Sequence, residues 1–567
     1  MTKNKEISDI LGKIADILEL KDENVFKIRA YRKASKTIME LSEDISEIEK
    51  RGELNKIEGI GKGLSEKIQE YLANEKIEEY QELILEIPEG VIELLEIQNL
   101  GPRTLYEIYK KFKIQNLNDL EKLIEDGKLL ELPGMGDKKI ENIKTGIFFY
   151  KTGKKRISIG IALPLAEEIS ELVKDKAENL SISGSLRRMQ DTVGDIDILV
   201  ASNERGKVID AFVGSPLVKK ILAKGDTKAS IIIKTNDLQV DLRVVGIDSY
   251  GAALQYFTGS VAHNIKVRKL AKDKGLKINE YGVFKGEEYI AGANEKEIYS
   301  LLGLSWIPPE LREDRGEIEA SAKGLLPNFI ELVDIKGELH THSNYSDGIN
   351  DIKTIALEAK KIGYKYIGIA DHSKSSRIAG GMSEESLKKR NEEIDIVQSE
   401  VSDIKILKGI EVDILSEGQL DYPDEILEKL DYVIAAIHQG FSKNVGMRMK
   451  KAMDNHLVDV IAHPTGRLLS GRKGYEVDID EIIEYAAEKN VALEINSSFD
   501  RLDLNDLNIL KGKSVGAKFL ISTDLHRIKM FKEIRYGVGL ARRGWLERSD
   551  VINTYGWDVI PLKRRMG

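Results

Sequence analysis

Seven of the eight histidines in this 567-residue chain lie beyond residue 336, and six of these stand in short motifs with carboxylates or at the ends of apolar runs. With the acidic residues around them they make nine candidate metal ligands: His340, His342, Asp347, His372, Glu411, His438, His463, Asp524 and His526. Neutral imidazole and carboxylate are ligands for Zn²⁺, Mn²⁺ and Fe²⁺. Nine ligands exceed the needs of one ion, so the pattern predicts a cluster of ions, the usual arrangement for cleaving phosphoesters.

The sequence around these ligands consists of apolar runs that alternate with helical patterns. Such runs begin at Tyr366, Ile406, Tyr432, Ala492 and Phe519, and each ends near a polar or ligand-type side chain. Short apolar strands separated by helices are typical of a parallel β/α barrel, which carries its chemistry at the carboxyl ends of the strands. The last third of the chain is therefore predicted to be a β/α barrel with a metal centre.

Length and composition limit the classes of protein to which this chain can belong. The length predicts several domains, and the absence of cysteine excludes disulfides, iron–sulfur clusters and thiolate catalysis. The sequence has no apolar run of membrane-spanning length and begins with a polar, amphipathic segment, so we expect no membrane association and a cytoplasmic location. The net charge of −9 argues only weakly against nucleic-acid binding, because an average hides local basic patches.

A glycine-rich theme occurs three times in the first 150 residues, which otherwise show the apolar spacing of helices. The copies contain Gly59 and Gly61, then Gly101, then Gly134 and Gly136, and a helical pattern follows each. A glycine turn that opens a helix lets backbone amides approach a phosphate closely. One copy would be commonplace, but three predict helix-hairpin-helix motifs that contact the DNA backbone without reading its sequence.

A basic cluster near the first copy includes Lys27 and Lys33, with Tyr31 between them. Most runs of charge are solvated helix faces, but the spacing places several of these side chains on one face. A phosphate-binding patch and a solvated face both remain open.

From about residue 157 the pattern changes from helical to mixed α/β. Asp195 and Asp197 are two apart in a β-type run, so both carboxylates point to one face. Asp241 lies in a second β-type run that can pair beside the first. Three converging carboxylates suit two Mg²⁺ ions that also hold a triphosphate. An isolated Asp-x-Asp would be better explained as surface residues, but the Gly184-Ser185 turn upstream offers a phosphate cradle and favours a nucleotidyltransferase.

The ordered motifs resemble those of the family X DNA polymerases. The Gly-Ser turn, Gly-Asp-Ile-Asp and Asp241 are followed by Tyr256-Phe257-Thr-Gly259-Ser and by Lys277-Ile-Asn-Glu-Tyr. The preceding helix-hairpin-helix region, and a C-terminal region similar to the polymerase-and-histidinol-phosphatase (PHP) fold, match the prokaryotic arrangement, known as PolX. The resemblance covers essentially the whole chain.

This resemblance implies a multidomain α+β and α/β protein. It would have a helical N-terminal region with helix-hairpin-helix motifs, a polymerase β-like nucleotidyltransferase palm and thumb, and a PHP-type distorted β/α barrel. The implied function is template-directed filling of short gaps in base excision repair with two Mg²⁺ or Mn²⁺ ions. The PHP domain would be a Mn²⁺-dependent 3′→5′ exonuclease, with AP endonuclease and 3′-phosphatase as further activities. The partners would be gapped or primed duplex DNA and dNTPs, and the protein a monomer associated with a prokaryotic nucleoid.

The resemblance also assigns roles to single residues. The catalytic metal ligands would be Asp195, Asp197 and Asp241. The incoming nucleotide would contact Gly184, Ser185, Arg188, Gly194, Tyr256, Phe257, Gly259 and Asn264. DNA would contact Lys27, Tyr31, Gly59, Gly61, Gly101, Gly134, Gly136 and Arg268.

The nine PHP ligands would hold two to three Mn²⁺, Zn²⁺ or Fe²⁺ ions. By resemblance, a first ion would be bound by His340, His342, Glu411 and Asp524. Glu411 would bridge to a second ion, which His438 and His463 would also bind. The third ion would be bound by Asp347, His372 and His526.

Lys67 occupies the position of the Schiff-base lysine in family members that remove 5′-deoxyribose phosphate. Gly63 stands where those members have a supporting lysine. Lys67 is therefore either a lyase nucleophile or only a contact to the 5′-phosphate of the gap, and the sequence leaves both open.

The predicted domains are a lyase-like domain over 1–85, fingers over 86–152, a palm over 153–245, a thumb over 246–310, a linker over 311–335 and the PHP domain over 336–567. Two other functions are conceivable. One is a PHP phosphoesterase or nuclease whose polymerase module serves only to bind DNA, and the other is a non-catalytic scaffold for DNA ends. Intact acidic motifs in both regions disfavour them.

Overall fold

The computed structural model describes residues 3–21, 23–39, 41, 44–57, 59–97, 100–151, 156–469 and 471–566. The chain divides into two compact units, Met1–Lys155 and Arg156–Gly567. The predicted boundary between fingers and palm, after residue 152, lies outside the described residues. None of the helices in the described ranges is both long and apolar enough to cross a membrane.

The first unit is helical, as the three- and four-residue spacing of its apolar side chains predicts. Its helices are α1 Lys3–Leu20, α2 Val25–Met39, α3 Ile45–Lys50, α4 Lys62–Asn74, α5 Glu78–Glu86, α6 Glu89–Ile92, α7 Pro102–Phe112, α8 Leu117–Glu125 and α9 Asp137–Lys151. In α1, Ile7, Leu11, Ile14 and Leu18 form one buried face. Because these positions recur every three to four residues, the face is continuous along the helix and packs into the core of the unit.

The three glycine-rich copies share one local structure. Each is preceded by a short 3-10 turn, at Leu54–Lys56, Glu93–Glu96 and Lys128–Glu131. Each is followed by a long helix, namely α4, α7 and α9. The helix-hairpin-helix prediction is therefore confirmed by the fold of this unit, which places a helix N-terminus after every copy.

The second unit begins with the palm, a five-stranded mixed sheet. Its elements are β1 Ile157–Ser158, α10 Ile159–Val173, β2 Asn179–Ile182, α11 Gly184–Arg187, β3 Thr192–Val193, β4 Asp195–Ala201, α12 Arg205–Val213, β5 Val218–Lys224, β6 Lys228–Ile233 and β7 Gln239–Val245. The strand order is β2-β4-β7-β6-β5, and β4 and β7 pair in parallel while the other neighbours are antiparallel.

The thumb follows as helices with a small antiparallel sheet. Its elements are α13 Tyr250–Thr258, α14 Val261–Asp273, β8 Lys277–Asn279, β9 Gly282–Lys285, β10 Glu288–Ala291 and α15 Glu295–Leu301. The stretch 311–335, predicted as a linker, contains α16 Glu317–Ala322 and packs closely: Arg312 and Glu317 are fully buried. Glu317 Oε1 lies 2.6 Å from His263 Nδ1, which explains the burial of that histidine in the thumb.

The remaining residues form a parallel β/α barrel. Its strands are β11 Gly337–Glu338, β12 Tyr366–Ile369, β13 Lys405–Lys408, β14 Glu411–Asp413, β15 Ile434–Ala436, β16 Val460–Ile461, β17 Ala492–Asn496 and β18 Phe519–Ser522. Its helices are α17 Ile352–Ile362, α18 Glu384–Glu400, α19 Asp424–Leu427, α20 Val445–Asp454, α21 Ile479–Glu488, α22 Asp506–Ser514, α23 Ile534–Arg543 and α24 Lys563–Met566.

The barrel is closed but irregular. Two sheets, β11-β12-β13 and β14-β15-β16-β17-β18, are parallel throughout. Only two residues separate β13 from β14, so these segments act as one bent strand, and a bridge between Thr341 and Leu525 joins the two ends of the barrel. The predicted distorted β/α barrel is confirmed.

Palm and barrel share a hydrophobic core. One cluster of buried side chains includes palm residues such as Ile159 and Val240 together with barrel residues such as Ile495 and Ile521. Gly160 in α10 allows a close approach, because a Cβ there would lie 2.1 Å from the Cβ of Phe499. The two domains of this unit are therefore packed as one body.

Candidate active sites

The three palm carboxylates lie on two adjacent parallel strands. Asp195 and Asp197 are on β4, and Asp241 is on β7. Asp197 pairs in register with Asp241, so their side chains leave the same face of the sheet side by side. The strand register therefore brings the carboxylates together, as the sequence predicts.

Packing and charge both act on Asp197. Burial, together with the neighbouring Asp195 and Asp241 carboxylates, raises the pKa of Asp197 to about 7. Asp241 is partly compensated, since Lys228 Nζ lies 3.3 Å from its Oδ2 and Gln239 Nε2 donates to its Oδ1 at 2.9 Å. A cluster in which one carboxyl resists ionisation fits divalent cations, which would supply the missing positive charge.

Gly184 is required by the packing around Asp197. A Cβ at Gly184 would lie 2.2 Å from Asp197 Oδ2, and its φ of +62° is in the left-handed region. The Ser183 amide donates to the Asp197 carbonyl at 2.8 Å, which ties the turn to β4. Ser185 follows Gly184 in the short α11, and Gly194 leads into β4 with open space around its Cβ position.

Arg188 is held by protein groups on two of its three side-chain nitrogens. Its Nε donates to Glu313 Oε1 at 3.0 Å, and its Nη1 donates to the Thr258 carbonyl at 2.5 Å. Gly259, with φ +69°, lies against it, since a Cβ there would be 3.1 Å from Arg188 Nη1. The structure thus brings Arg188 and Gly259 together beside the end of α13.

The aromatic and amide residues predicted for the nucleotide pocket also lie in one region. The rings of Tyr256 and Phe257 pack edge to face, 5.1 Å apart, and Arg243 lies over Phe257 at 4.3 Å. Asn264 donates to the Tyr256 carbonyl at 2.7 Å, and Arg268 Nε donates to the Asn264 carbonyl at 3.3 Å. On binding a nucleotide, Asn264 would therefore exchange this internal hydrogen bond for one to the base. Arg268 lies on the same helix, α14.

The nine predicted PHP ligands lie together at the carboxyl ends of the barrel strands. Glu411 Oε1 is 3.1 Å from His463 Nε2 and 3.3 Å from His438 Nε2. Asp524 Oδ1 is 3.1 Å from His342 Nε2. Within the described residues, eight of the nine ligands fall into three groups, each compact enough for one ion: His342, Asp347, His372 and His526; His340, His342 and Asp524; and His372, Glu411 and His438.

Unpaired polar atoms support a fit to metal ions. Buried polar atoms are normally hydrogen-bonded, yet five buried atoms of this cluster have no such partner among the described residues: His340 Nε2, His342 Nδ1, His372 Nδ1, Glu411 Oε2 and His463 Nδ1. His372 Nδ1 and Glu411 Oε2 face each other at 2.8 Å without hydrogen-bond alignment, as two ligands of one ion do. The donor set therefore suits divalent cations.

Electrostatics and backbone geometry at the cluster agree with this interpretation. Burial opposes the charge of Glu411, but the imidazoles of His438 and His372 hold the pKa of its carboxyl well below its usual range. His463 and Asp524 adopt positive φ angles of 29° and 53°. Such strained backbone at non-glycine residues is typical of functional sites.

Further carboxylates orient the imidazoles from behind. Glu494 Oε1 lies 2.5 Å from His340 Nδ1, and Asp413 Oδ1 lies 2.5 Å from His438 Nδ1. A second ring nitrogen bound to a carboxylate fixes the tautomer and orientation of a ligating histidine. Neither carboxylate stood out in the sequence, although Glu494 alternates with Asn496 along β17 and so shares its face. Asp371 also lies behind the ligands, accepting from the Ser343 amide at 2.7 Å.

Arg501 is a site residue that sequence patterns did not predict. It lines a cavity of about 880 Å³ with Asp347, His372 and His526. Its Nε lies 3.6 Å from Asp524 Oδ2, and its buried Nη1 has no hydrogen-bond partner in the described structure. A buried guanidinium with a free donor beside a metal-type cluster is suited to a phosphate oxygen. Its position five residues after Asn496, in a loop, gave no periodic signal.

In the first unit, Lys67 lies with Lys27 and Tyr31 around a carboxylate. Glu79 is 2.5 Å from Lys67 Nζ and 2.9 Å from Lys27 Nζ, and Tyr31 donates to it at 2.7 Å. Burial opposes ionisation of Glu79, but the hydrogen bonds from these neighbours, Lys67 foremost, lower its pKa to about 2. Lys67 is thus ion-paired within this pocket.

The hairpin glycines are exposed at the N-termini of their helices. Gly61 and Gly101 are the N-cap residues of α4 and α7, and Gly136 directly precedes α9. Gly59 and Gly134 have φ angles of +87° and +74°. These turns leave backbone amides accessible to an anion, as helix N-termini do.

Family models match four parts of the chain. They are a helix-hairpin-helix domain over residues 2–77, a SAM-like helix-hairpin-helix tandem over 91–147, a DNA polymerase beta thumb over 253–313 and a PHP domain over 338–498. Their order agrees with that of the folded regions.

Curated proteins match both over the whole chain and over parts. The DNA polymerase/3′-5′ exonuclease PolX of Bacillus subtilis (strain 168) is 39% identical over 97% of each chain. DNA polymerase lambda of Arabidopsis thaliana is 24% identical, covering 54% of this chain and 62% of its own. A probable phosphatase of Clostridium acetobutylicum is 30% identical, covering 33% of this chain and 78% of its own.

The full-length match and the family models confirm the resemblance that the sequence motifs predicted, in both halves of the chain. With helix-hairpin-helix motifs, a polymerase thumb and a PHP phosphoesterase domain, DNA is its partner. The chain belongs to the prokaryotic family X DNA polymerases with a C-terminal PHP domain, and is a DNA polymerase with a 3′→5′ exonuclease.

Proposed function

We propose that this polymerase fills short gaps during base excision repair and that its PHP domain trims the 3′ end of the primer before or during filling. The observation that carries the proposal is the presence, in one packed unit, of two separate ligand clusters: the palm carboxylates around Asp197 and the nine-residue cluster around Glu411. Each has the donor chemistry for one of the two reactions.

In the palm, Asp195, Asp197 and Asp241 would bind two Mg²⁺ or Mn²⁺ ions, which supply Lewis acidity for attack by the primer hydroxyl and for departure of pyrophosphate. The protein then contributes position and charge. Arg188, held by Glu313 and the Thr258 carbonyl, would bind the triphosphate through its guanidinium. Gly259 and the Tyr256 and Phe257 rings would lie against the sugar of a dNTP, and Gly184 and Ser185 would cradle phosphate.

In the barrel, the nine ligands would hold two to three Mn²⁺, Zn²⁺ or Fe²⁺ ions, which supply an activated water for hydrolysis of the terminal phosphodiester. Glu494 and Asp413 keep the His340 and His438 rings in one orientation. Arg501 binds a non-bridging oxygen of the phosphate and compensates the charge that develops during attack. The same chemistry extends to AP sites and 3′-phosphates, which present a similar phosphate ester.

Lys67 is proposed as a contact to the 5′-phosphate of the gap instead of a lyase nucleophile. A Schiff base requires an amine that is free to attack an aldehyde, whereas Lys67 Nζ is held by Glu79 Oε2 at 2.5 Å. Borohydride reduction with a 5′-deoxyribose-phosphate substrate measures this directly. We expect no covalent protein–DNA product above that of Lys67→Ala, and a Lys67-dependent product would establish the lyase instead.

The two activities are tested on one duplex with a one-nucleotide gap, a downstream 5′-phosphate and a labelled primer. With Mn²⁺, the primer is expected to lengthen when dNTPs are present and to shorten when they are absent. Asp197→Asn should abolish only lengthening, and His342→Ala only shortening, because each removes one ligand cluster and leaves the other intact.

The outcomes distinguish the alternatives. If the wild-type protein shortens the primer and never lengthens it, the polymerase module serves only to bind DNA. If Asp197→Asn also stops shortening, the two sites do not act separately. A higher catalytic efficiency on one-nucleotide gaps than on a recessed end would support gap filling over general extension.

A further inference from the structure

Glu313, at the end of the thumb, joins three parts of the second unit. Its Oε1 accepts hydrogen bonds from Arg188 Nε at 3.0 Å, Gln190 Nε2 at 2.6 Å and Arg543 Nη1 at 3.0 Å. Arg188 and Gln190 follow α11 of the palm, whereas Arg543 ends α23 of the PHP barrel. A polymerase-side arginine and a PHP arginine therefore share one carboxylate oxygen.

Arg543 also contacts the backbone of Arg188 directly. Its Nη1 donates to the Arg188 carbonyl at 2.7 Å, and its Nη2 donates to Asp506 Oδ2 at 2.5 Å. The Arg543 side chain is 1% exposed, so its charge is compensated by these groups and not by water. Because Asp506 and Arg543 both belong to the barrel, the guanidinium is anchored on the PHP side and reaches into the palm.

The contact between Met189 and helix α23 is also close. Met189 adopts a φ of +55°, and a Cβ on Gly539 of α23 would lie 2.4 Å from the Met189 Cε. A Cβ at 539 would also lie 3.1 Å from the Met189 Cβ, so the Met189 side chain would have to move. Residues 188 to 190 thus lie directly on α23, which fixes the backbone from which the Arg188 side chain extends.

We propose that Arg543, a PHP-domain residue, is a positioning residue for the polymerase reaction: it fixes the Arg188 guanidinium in the orientation that binds the triphosphate of the incoming nucleotide. This rests on the proposed role of Arg188. The physical reason is that an arginine held at Nε and Nη1 loses little further entropy when it binds phosphate. Without Arg543, both the Arg188 carbonyl and Glu313 lose a buried donor, and the turn can shift.

The test is single-turnover extension of a one-nucleotide gap, which separates the dNTP dissociation constant from the rate of chemistry. For Arg543→Ala we expect the dNTP dissociation constant to rise about tenfold, the effect of losing one or two charged hydrogen bonds. The exonuclease rate of the same preparation is expected to be unchanged, which also shows that the barrel is folded. Arg543→Lys, which keeps the charge and one donor, should recover part of the affinity.

Two further variants test this positioning role, one made in the barrel and one in the polymerase part. Arg535→Ala, on the same helix, breaks another contact between barrel and palm, Arg535 Nη1 to Glu167 Oε1 at 2.8 Å, without touching residues 188 to 190. It should leave the dNTP dissociation constant unchanged. Glu313→Gln, made from the polymerase side, weakens the carboxylate that Arg188 and Arg543 share and should weaken dNTP binding too. If Arg543→Ala does not fold, Arg543→Lys decides the question, since it loses the direct bonds to Arg188 and Glu313 in part and should raise the dNTP dissociation constant by less than about tenfold.

Arg188→Ala separates the two proposals. If it does not weaken dNTP binding, the proposed function of Arg188 is wrong and Arg543 has nothing to position. If Arg188→Ala weakens binding while Arg543→Ala and Glu313→Gln do not, the positioning role alone is overturned. An equal effect of Arg535→Ala would also overturn it, because general loosening of the domain contact would then account for the loss.

Discussion

Arg501 is the residue whose chemistry is most directly testable in the PHP cleft. Its buried Nη1 lacks a hydrogen-bond partner in the described structure, and the side chain faces the ligand cluster. We expect Arg501→Ala to slow the exonuclease reaction about 100-fold at saturating DNA, the usual effect of removing one preorganised charged donor. Primer digestion without dNTPs measures this rate, and primer extension on the same substrate should be unaffected.

The matched control for this prediction is Arg501→Lys, which keeps the charge but not the forked geometry. It should recover only part of the rate. Bound manganese, measured after dialysis, should be the same in all three proteins. Loss of manganese in Arg501→Ala would show instead that the arginine supports Asp524, 3.6 Å away, and not the substrate.

A second prediction at this scale concerns pH and Asp197. An aspartate in an unfolded chain has a pKa of about 3.9, whereas burial and two neighbouring carboxylates raise that of Asp197 to about 7. The folded state therefore binds more protons between these values, and Asp197 lowers the free energy of unfolding as the pH rises through that window. With EDTA present, Asp197→Asn should raise the melting temperature at about pH 8, above both values, and have much less effect at about pH 4, near the unfolded value.

The exposed Asp226 provides the comparison. Asp226→Asn should leave the melting temperature unchanged at both pH values. If Asp197→Asn destabilises the protein under the alkaline condition in EDTA, the Asp197 carboxylate is stabilised by its neighbours and not strained by them.

The sequence predicted the position of a site residue where that residue belonged to a regular pattern. Asp195, Asp197 and Asp241 could be paired because β-strand alternation puts them on one face, and the histidines could be grouped because they follow apolar runs. Arg501, Glu79 and Glu313 could not be found in this way. Each acts through a partner distant along the chain, and no local spacing indicates such a pairing.

At the scale of elements, the hairpin turns make a specific prediction about DNA affinity. Gly127 and Gly134 have similar φ angles, +71° and +74°, and neither Cβ position has a heavy atom within 4 Å. Alanine at either costs roughly 1–2 kcal/mol, because both adopt the left-handed conformation. Only Gly134 belongs to a turn that opens a long helix, so only Gly134→Ala should raise the Kd for gapped DNA, about fivefold if one phosphate contact is lost.

Fluorescence anisotropy with a labelled gapped duplex gives the Kd, and thermal melting gives the stability. The two variants should lose similar stability. If they also lose DNA affinity equally, the change reflects strain in the unit and not contact by the hairpin.

Whole elements were more predictable than their packing. The helices of the first unit and the strands of the barrel follow from apolar periods of about 3.6 and from short apolar runs. The stretch 311–335 was expected to be a linker because it follows two prolines, Pro308 and Pro309, and is rich in charged residues. Its charges are instead internal: Arg312 is bound by Glu295 at 2.7 Å and Glu317 by His263. Composition cannot distinguish exposed from paired charges.

At the scale of the molecule, the decisive feature is the continuous core between palm and barrel. Side chains of both domains form one buried cluster, and ion pairs such as Arg467 with Asp191, at 3.1 Å, connect them. A sequence can name two catalytic domains but carries no local signal of how they pack, since the interface combines residues hundreds of positions apart. The packing matters because it couples the stability of one site to that of the other.

This coupling predicts that ions bound in the barrel stabilise the palm. Asp197→Asn is used as the background, so that the palm cannot account for the ion effect. In that protein, Mn²⁺ at about 100 times its Kd should stabilise the folded state by about 2.7 kcal/mol. Because the core is shared, amides in β6 and β7 of the palm that exchange by unfolding of the whole unit should slow with those of the barrel strands. Hydrogen–deuterium exchange read by mass spectrometry measures both sets together.

Adding His342→Ala should remove the Mn²⁺ effect from both sets of amides, because His342 lies in two of the three ligand groups. Protection confined to the barrel strands would show that palm and barrel open separately despite their common core. Positioning by Arg543 would then depend on local contacts at Glu313 alone. Protection of both would mean that loading the exonuclease centre also holds the nucleotide pocket of the polymerase in its folded geometry.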